Sequence, residues 1–238
     1  MMMRKWQGST SLATLLAAFL CSSAALAGSG DVNDAGQGRD GAWTKSGQGS
    51  PDLAKNRARV AKNARDPVAL NDLGFALRQN GKLDEAEKYL KQALEIKPDL
   101  ATAHTNLSVV YFDQKRYDEA AKEAVAAVKL DANHPVFRVV LGNALSKTGD
   151  LKGAAQEYRI AIKLKPNYEN AHYNLGRVLF EDGQATEARF ALAEAIHLDP
   201  KDDRTLLLLD KLEAGAAGAV KSTGAAVSKS ATSESAAK

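Results

Sequence analysis

Cysteine is almost absent from this chain, which has 238 residues and a single cysteine, Cys21. One thiol excludes a disulfide framework within the chain and a zinc site built from cysteines. Neither sign of charge is in large excess, because 32 basic and 29 acidic residues leave a net charge of only +3. Such a balance does not indicate a nucleic-acid binder, which usually has a concentrated basic face. The apolar run at residues 12–20 is far short of the roughly 20 residues that a membrane-spanning helix needs.

Motifs of common catalytic chemistry are missing as well. The sequence has no glycine-rich phosphate loop, no H-E-x-x-H and no G-x-S-x-G. We therefore expect a protein that is not an enzyme and that carries no metal and no other cofactor.

The N-terminus has the pattern of a secretory signal peptide. Arg4 and Lys5 precede the apolar run, and Ala25-Leu26-Ala27 places small residues where a signal peptidase cuts. We expect residues 1–27 to be removed, which leaves a chain of net charge +1 without cysteine in the periplasm or outside the cell. Two alternatives stay open: an uncleaved anchor, and a lipoprotein signal in which Cys21 is lipidated.

Composition divides the remaining chain into flexible ends and an ordered middle. Residues 28–50 hold seven of the 18 glycines and are predicted to form a linker, and residues 215–238 form a low-complexity tail. Residues 51–66 predict a basic helix that begins at Pro51.

From Pro67 onward the chain repeats every 34 residues without gaps, and a period of this size indicates a stacked array. We number positions from 1 in four registers, residues 67–100, 101–134, 135–168 and 169–202. The recurring residues are Leu73, Leu107, Leu141 and Leu175 at position 7, Gly74, Ser108, Gly142 and Gly176 at position 8, Ala86, Ala120, Ala154 and Ala188 at position 20, Ala93, Ala127, Ala161 and Ala195 at position 27, and Pro98, Ala132, Pro166 and Pro200 at position 32.

This pattern resembles the tetratricopeptide repeat (TPR) family, with residues 203–214 similar to its usual capping helix. The resemblance implies an all-α, right-handed superhelical solenoid of helix-turn-helix repeats. Small residues at positions 8 and 20 are expected to let the two helices of a repeat approach closely. Position 4, usually aromatic in the family, departs from it with Leu70, His104, Arg138 and His172.

Glycine is expected in the turn between the two helices of a repeat, where a left-handed backbone is favoured. Gly81, Gly149 and Gly183 hold this place, whereas Lys115-Arg116 replaces the glycine in repeat two. We therefore expect a slightly strained turn there.

In TPR proteins the first helix of each repeat lines a concave groove, through positions 2, 5, 6, 9, 12 and 13. The resemblance therefore implies a peptide-binding groove formed by Asn71, Phe75, Thr105, Asn106, Phe112, Asn143, Lys147, Asn170, Tyr173, Asn174, Arg177 and Phe180. Amides can donate to and accept from any peptide backbone, and aromatic side chains supply apolar anchors. The carboxylate clamp of chaperone-binding TPR domains is rejected, because Val136 and Val140 stand where it needs basic side chains.

Two functions remain open at this stage. The first is an exported scaffold that binds a peptide or helical segment of another protein, in assembly of an envelope complex. The second is a self-assembling or membrane-tethered, lipoprotein-like scaffold without a groove ligand. Repeats three and four have opposite net charges, +4 and −4. Two interpretations stay open: the charges steer a partner or another copy of the chain, or they belong to two solvated outer faces.

Overall fold

The computed structural model describes residues 51–214, and every structural statement below concerns these residues. The signal peptide, the linker and the tail expected at residues 1–27, 28–50 and 215–238 lie outside them.

Ten helices and no strand make up the described residues, so the all-α class is confirmed. The helices are α1 (Pro51–Lys62), α2 (Pro67–Gln79), α3 (Leu83–Ile96), α4 (Ala101–Asp113), α5 (Tyr117–Leu130), α6 (Pro135–Thr148), α7 (Leu151–Leu164), α8 (Glu169–Glu181), α9 (Ala185–Leu198) and α10 (203–214). Helices α2 and α3, α4 and α5, α6 and α7, and α8 and α9 pack as pairs, and each pair contacts the next.

Helix starts are supported by side-chain caps and by acidic first turns. The carboxylate of Asp66 accepts hydrogen bonds from the backbone N–H groups of Val68 and Ala69 at 3.0 and 3.2 Å, directly before Pro67 opens α2. Where α3 begins without a side-chain cap, Asp84 and Glu85 lie in its first turn and complement the helix dipole. Asp118 and Glu119 hold the same place in the first turn of α5, so both acidic pairs are explained by local helix electrostatics.

The two helices of a repeat approach each other closely at position 8. A Cβ atom on Gly74 would lie 2.5 Å from Cγ of Leu90, at position 24 of the same repeat. In repeat two the smaller Ala124 occupies position 24, and the Ser108 hydroxyl donates to the main-chain carbonyl of Ala120 at 2.8 Å. The residue at position 24 therefore decides how large the residue at position 8 can be.

Position 15 adopts a left-handed backbone in every repeat. The φ angles are 74° at Gly81, 92° at Gly149, 79° at Gly183 and 63° at Lys115. A Cβ on any of these three glycines would meet nothing within 4 Å, so the preference for glycine comes from the backbone alone. The strain expected in the second turn is therefore located at Lys115, because this conformation costs a residue with a Cβ roughly 1–2 kcal/mol.

We expect the Lys115→Gly substitution to raise the free energy of unfolding by about 0.5–1 kcal/mol, because glycine removes the left-handed penalty but gains freedom in the unfolded chain. Urea unfolding followed by circular dichroism measures the change. The reciprocal control, Gly149→Ala, is expected to lower the free energy of unfolding by about 1 kcal/mol. A Lys115→Gly protein that is less stable than the wild type would contradict the assignment of strain to this turn.

The unusual residues at position 4 bind consecutive repeats together. In repeats two, three and four a side-chain N–H at this position donates to the main-chain carbonyl at position 32 of the preceding repeat: His104 to Pro98 at 2.9 Å, Arg138 to Ala132 at 3.0 Å, and His172 to Pro166 at 2.8 Å. Polar contacts between repeats thus stand where the family has aromatic packing.

The last helix, α10, covers one side of the C-terminal end of the array. Leu212 is buried against the hydrophobic core of repeats three and four, and Thr205 is also buried. Leu206 and Leu207 remain 41% and 56% exposed. This cap therefore leaves apolar side chains at the end of the described solenoid.

Candidate peptide-binding groove

Contacts between neighbouring first helices place the groove positions on one face. Asn106 Nδ2 donates to Asn71 Oδ1 at 2.9 Å, which joins α4 to α2. At the other end, Arg177 Nη2 donates to the Ser146 hydroxyl at 3.3 Å, which joins α8 to α6. We call the surface formed by positions 2, 5, 6, 9, 12 and 13 of α2, α4, α6 and α8 the groove face.

The amides nearest the N-terminus are engaged with each other. Asn71 is only 8% exposed, and its Nδ2 donates to Asp72 Oδ1 at 3.4 Å while its oxygen accepts from Asn106. The half-buried Asn106 is thereby held at the groove face. Thr105 is buried and its hydroxyl donates to the main-chain carbonyl of Ala101 at 2.9 Å, so this hydroxyl donor is used within its own helix.

An ion pair between a buried arginine and a partly exposed aspartate supports the same end of the groove face. Arg78 Nε donates to Asp113 Oδ2 at 2.8 Å, and the Arg78 side chain is 2% exposed. Burial lowers the pKa of Arg78 from its ordinary value, which the neighbouring carboxylate of Asp113 opposes. The half-buried Phe75 lies one helical turn before Arg78.

The centre of the groove face contains a small hollow that we call the dimple. It has a volume of about 10 Å³ and is lined by Ser108, Val109, Phe112, Val140 and Asn143. Such a volume holds about one water-sized sphere. The dimple therefore accepts a group of the size of a methyl rather than an aromatic ring.

Asn143 is held from behind by a residue of the second helix. The Tyr158 hydroxyl donates to Asn143 Oδ1 at 2.7 Å, and the Tyr158 side chain is fully buried. The Ser146 hydroxyl donates to the main-chain carbonyl of Asn143 at 2.9 Å. The oxygen side of this groove amide is therefore satisfied inside the repeat.

The C-terminal part of the groove face combines aromatic and charged side chains. The Arg204 guanidinium of α10 lies over the Tyr173 ring, 4.6 Å from its centroid. Arg177 pairs with Glu181 at 2.7 Å, and Phe180 is 36% exposed. Asn174 Nδ2 donates to the main-chain carbonyl of Asn170 at 2.8 Å, so part of its hydrogen-bonding capacity is used within α8.

A larger hollow of about 290 Å³ lies at the turn of repeat two. It is lined by Lys115, Arg116, Tyr117, Asp118, Glu119, Lys147 and Thr148. Lys147, which is exposed, is the one predicted groove residue that lines this hollow. The dimple is lined by two predicted groove residues, Phe112 and Asn143.

Sequence reasoning missed Tyr158, Ser146 and Arg204 as supports of the groove face. Tyr158 belongs to a second helix, and Arg204 belongs to the cap, so neither falls in the set that the family pattern supplies. The one available signal was position 24, where repeat three has tyrosine and the other repeats have leucine or alanine.

The opposite charges of repeats three and four are partly matched within the chain. Arg159 Nη2 of α7 pairs with Glu187 Oε2 of α9 at 2.6 Å, and both side chains are more than half exposed.

None of the helices in residues 51–214 combines the length and hydropathy needed to cross a membrane. The same residues contain no group of three or more His, Cys, Asp or Glu suited to a metal ion.

Family models match most of the repeat region. Models described as "Tetratricopeptide repeat" match residues 65–133 and 169–202, and one described as "TPR repeat" matches residues 142–183. Together these matches cover more than half of the chain.

Curated relatives share the repeats over part of their length. The chain is 31% identical over 137 residues to the protein O-mannosyl-transferase Tmtc3 of Drosophila melanogaster, which is 51% of this chain and 15% of that protein. It is 27% identical over 120 residues to the Hsp70-Hsp90 organising protein of Plasmodium falciparum, which is 50% of this chain and 48% of that protein. The chain thus spans less than half of the length of either relative.

Solved structures share the fold. MamA from Desulfovibrio magneticus RS-1 has a TM-score of 0.57 at 20% identity, over 63% of this chain and 85% of that one. YrrB, described as a TPR protein with an unusual peptide-binding site, has a TM-score of 0.56 at 22% identity, over 67% of this chain and 91% of that one. The family matches across the repeats and this common fold show that the chain belongs to the tetratricopeptide repeat family.

Proposed function

We propose that this protein is an exported, non-enzymatic interaction scaffold whose groove face binds a segment of another protein during assembly of an envelope complex. The observation that carries the proposal is the face itself, where amides from successive repeats stand beside half-buried aromatic side chains. Asn106 and Asn143 combine hydrogen-bonding groups with the apolar surface of Phe112. Amides of this kind suit a peptide backbone, and aromatic surface anchors a side chain.

Similarity to other proteins supports an interaction role. The Hsp70-Hsp90 organising protein is named for the chaperones it organises, and YrrB is described with a peptide-binding site. Mannosyl transfer is not part of the proposal, because the match to Tmtc3 covers only 15% of that protein.

The test replaces Asn106, Asn174 and Tyr173 together with alanine and repeats a pull-down from an extract of the native envelope. We expect recovery of bound proteins to fall at least tenfold, which corresponds to a loss of about 1.4 kcal/mol in binding free energy. Mass spectrometry of the bait from the same envelope fraction reports export, since cleavage leaves Gly28 at the N-terminus.

The matched control replaces Asn133, Gln156 and Phe190, two amides and an aromatic residue that are exposed outside the groove positions. This control is expected to recover the same proteins as the wild type. Unchanged recovery by the groove variant, with an intact helical spectrum, would refute binding at the groove face.

The second candidate is self-assembly, favoured by the apolar end of the solenoid. Phe190 on α9 is 71% exposed, close in sequence to the exposed Leu206 and Leu207 of the cap. Light scattering of the purified protein at low and high salt separates the candidates. Screening by salt weakens assembly through complementary charges but not assembly through the apolar end, so a monomer at both salt concentrations argues against self-assembly by either route.

A further inference from the structure

We propose that Tyr158 is a positioning residue that aims the Asn143 amide into the groove, for an extended peptide with a side chain of alanine or valine size. The inference rests on the proposed groove function and specifies the ligand class at its centre. Tyr158 does not touch that ligand and acts through Asn143.

The geometry divides the Asn143 amide into a buried and an accessible half. Its Oδ1 accepts from the Tyr158 hydroxyl at 2.7 Å, behind the groove face. Within residues 51–214, no hydrogen bond joins its Nδ2 to another protein atom, and Asn143 is half-buried at the edge of the dimple. The amide nitrogen is therefore the donor that remains for a ligand.

Tyr158 is held rigidly as the donor of this pair. A Cβ on Gly142 would lie 2.7 Å from the Tyr158 ring, so the ring is packed directly against α6. Burial raises the pKa of Tyr158 well above its ordinary value, which keeps the hydroxyl protonated and able to donate. Repeats with leucine or alanine at position 24 have no such anchor for position 9.

The dimple limits the size of the ligand side chain next to the carbonyl that accepts from Asn143 Nδ2. Its volume of about 10 Å³ has room for a methyl group beside Asn143. An extended peptide has free main-chain carbonyls, whereas the carbonyls within a helix are bonded to N–H groups of the same helix. A ligand that offers both a free carbonyl and a small apolar side chain is thus an extended peptide segment.

The neighbouring charges do not select a free C-terminal carboxylate. Two predicted groove cations lie near Asn143. Lys147, one helical turn later on α6, lines the larger hollow and not the dimple, and Arg177 stands at position 9 of the next repeat. Arg177 Nη1 pairs with Glu181 at 2.7 Å and its Nη2 donates to Ser146 at 3.3 Å. The ligand is therefore expected to bind by an internal stretch of chain.

The first experiment measures side-chain preference with a positional-scanning library of immobilised nonapeptides that are acetylated and amidated. We expect the purified protein to select alanine or valine at one position. The Phe112→Ala variant enlarges the dimple and is expected to shift that preference at least tenfold toward leucine or phenylalanine. The matched control is Phe180→Ala, which removes the same side chain at position 12 of repeat four, outside the dimple.

The second experiment measures affinity for the selected peptide by fluorescence anisotropy. Tyr158→Phe keeps the ring and removes the donor, so we expect binding to weaken about fivefold. In an Asn143→Ala background the same change is expected to have no further effect, because the two residues act as one unit. The control is Tyr111→Phe, which removes a buried hydroxyl that contacts Glu87 at 3.4 Å.

The outcomes separate the two proposals. Failure of the wild type to bind any library peptide would overturn this inference alone if the groove variant still loses the envelope proteins in the pull-down. Failure of both tests would refute the groove function and this inference with it. Peptide binding that is unchanged by Tyr158→Phe, or weakened equally with and without Asn143, would overturn the inference alone. Equal shifts in preference for Phe112→Ala and Phe180→Ala would overturn the assignment of the dimple.

Discussion

The Gly74→Ser substitution is expected to lower the free energy of unfolding by about 2 kcal/mol, because it overpacks the contact between α2 and α3. A Cβ there would lie 2.5 Å from Cγ and 2.8 Å from Cδ2 of Leu90, and 3.3 Å from the carbonyl oxygen of Ala86. The Leu90 side chain is fully buried in the hydrophobic core, so it has little room to move away from the added atoms. Urea unfolding measures the change.

A second substitution tests whether Leu90 causes the cost. Repeat two naturally combines Ser108 with Ala124 at the same two positions. Leu90→Ala alone is expected to cost about 2–5 kcal/mol through the cavity it leaves. In that background we expect Gly74→Ser to cost less than about 0.5 kcal/mol, so the double-mutant cycle shows strong coupling. Additive costs would show that the serine is rejected for another reason.

The Asp113→Ala substitution is expected to lower the free energy of unfolding by about 3 kcal/mol, because it removes the carboxylate that accepts from Arg78 Nε, a buried guanidinium nitrogen. The Arg78 side chain is 2% exposed and lies 2.8 Å from Asp113. Burial already lowers the pKa of Arg78, so its charge is costly where it lies. Thermal unfolding followed by circular dichroism measures the loss of stability.

An exposed ion pair provides the control. Arg57 and Glu85 lie 3.3 Å apart with side chains 51% and 48% exposed. Solvent screens such a pair, so Arg57→Ala, which leaves the acidic first turn of α3 intact, is expected to leave the unfolding midpoint unchanged. Equal losses for Asp113→Ala and Arg57→Ala would contradict the distinction drawn from burial.

Local pattern was sufficient to predict the helical array and the left-handed turns. Leucine, glycine and alanine recur every 34 residues, and each local choice agrees with a helix or a turn at that place. The strained turn at Lys115, where the glycine is replaced, could also be predicted, because the backbone of a turn depends on a few neighbouring residues.

The sequence predicted which positions lie on the groove face, but it did not predict which of their side chains are free to bind a ligand. Asn71 and Asn106 bond to each other across 35 residues, and Thr105 bonds within its own helix. The family pattern cannot distinguish a side chain that is free for a ligand from one that has an internal partner. That distinction depends on the side chains of the neighbouring repeats.

Cysteine and catalytic motifs are scarce in the sequence, and the 34-residue period, through its resemblance to the tetratricopeptide repeat family, predicted the class of protein, its helices and the positions of the groove face. The tertiary structure alone decided which groups on that face are held and which remain accessible. Tyr158 reaches Asn143 from 15 residues away, and Arg78 reaches Asp113 across 35. Periodicity is a property of local spacing, whereas hydrogen-bond partners and burial arise only when distant helices pack together.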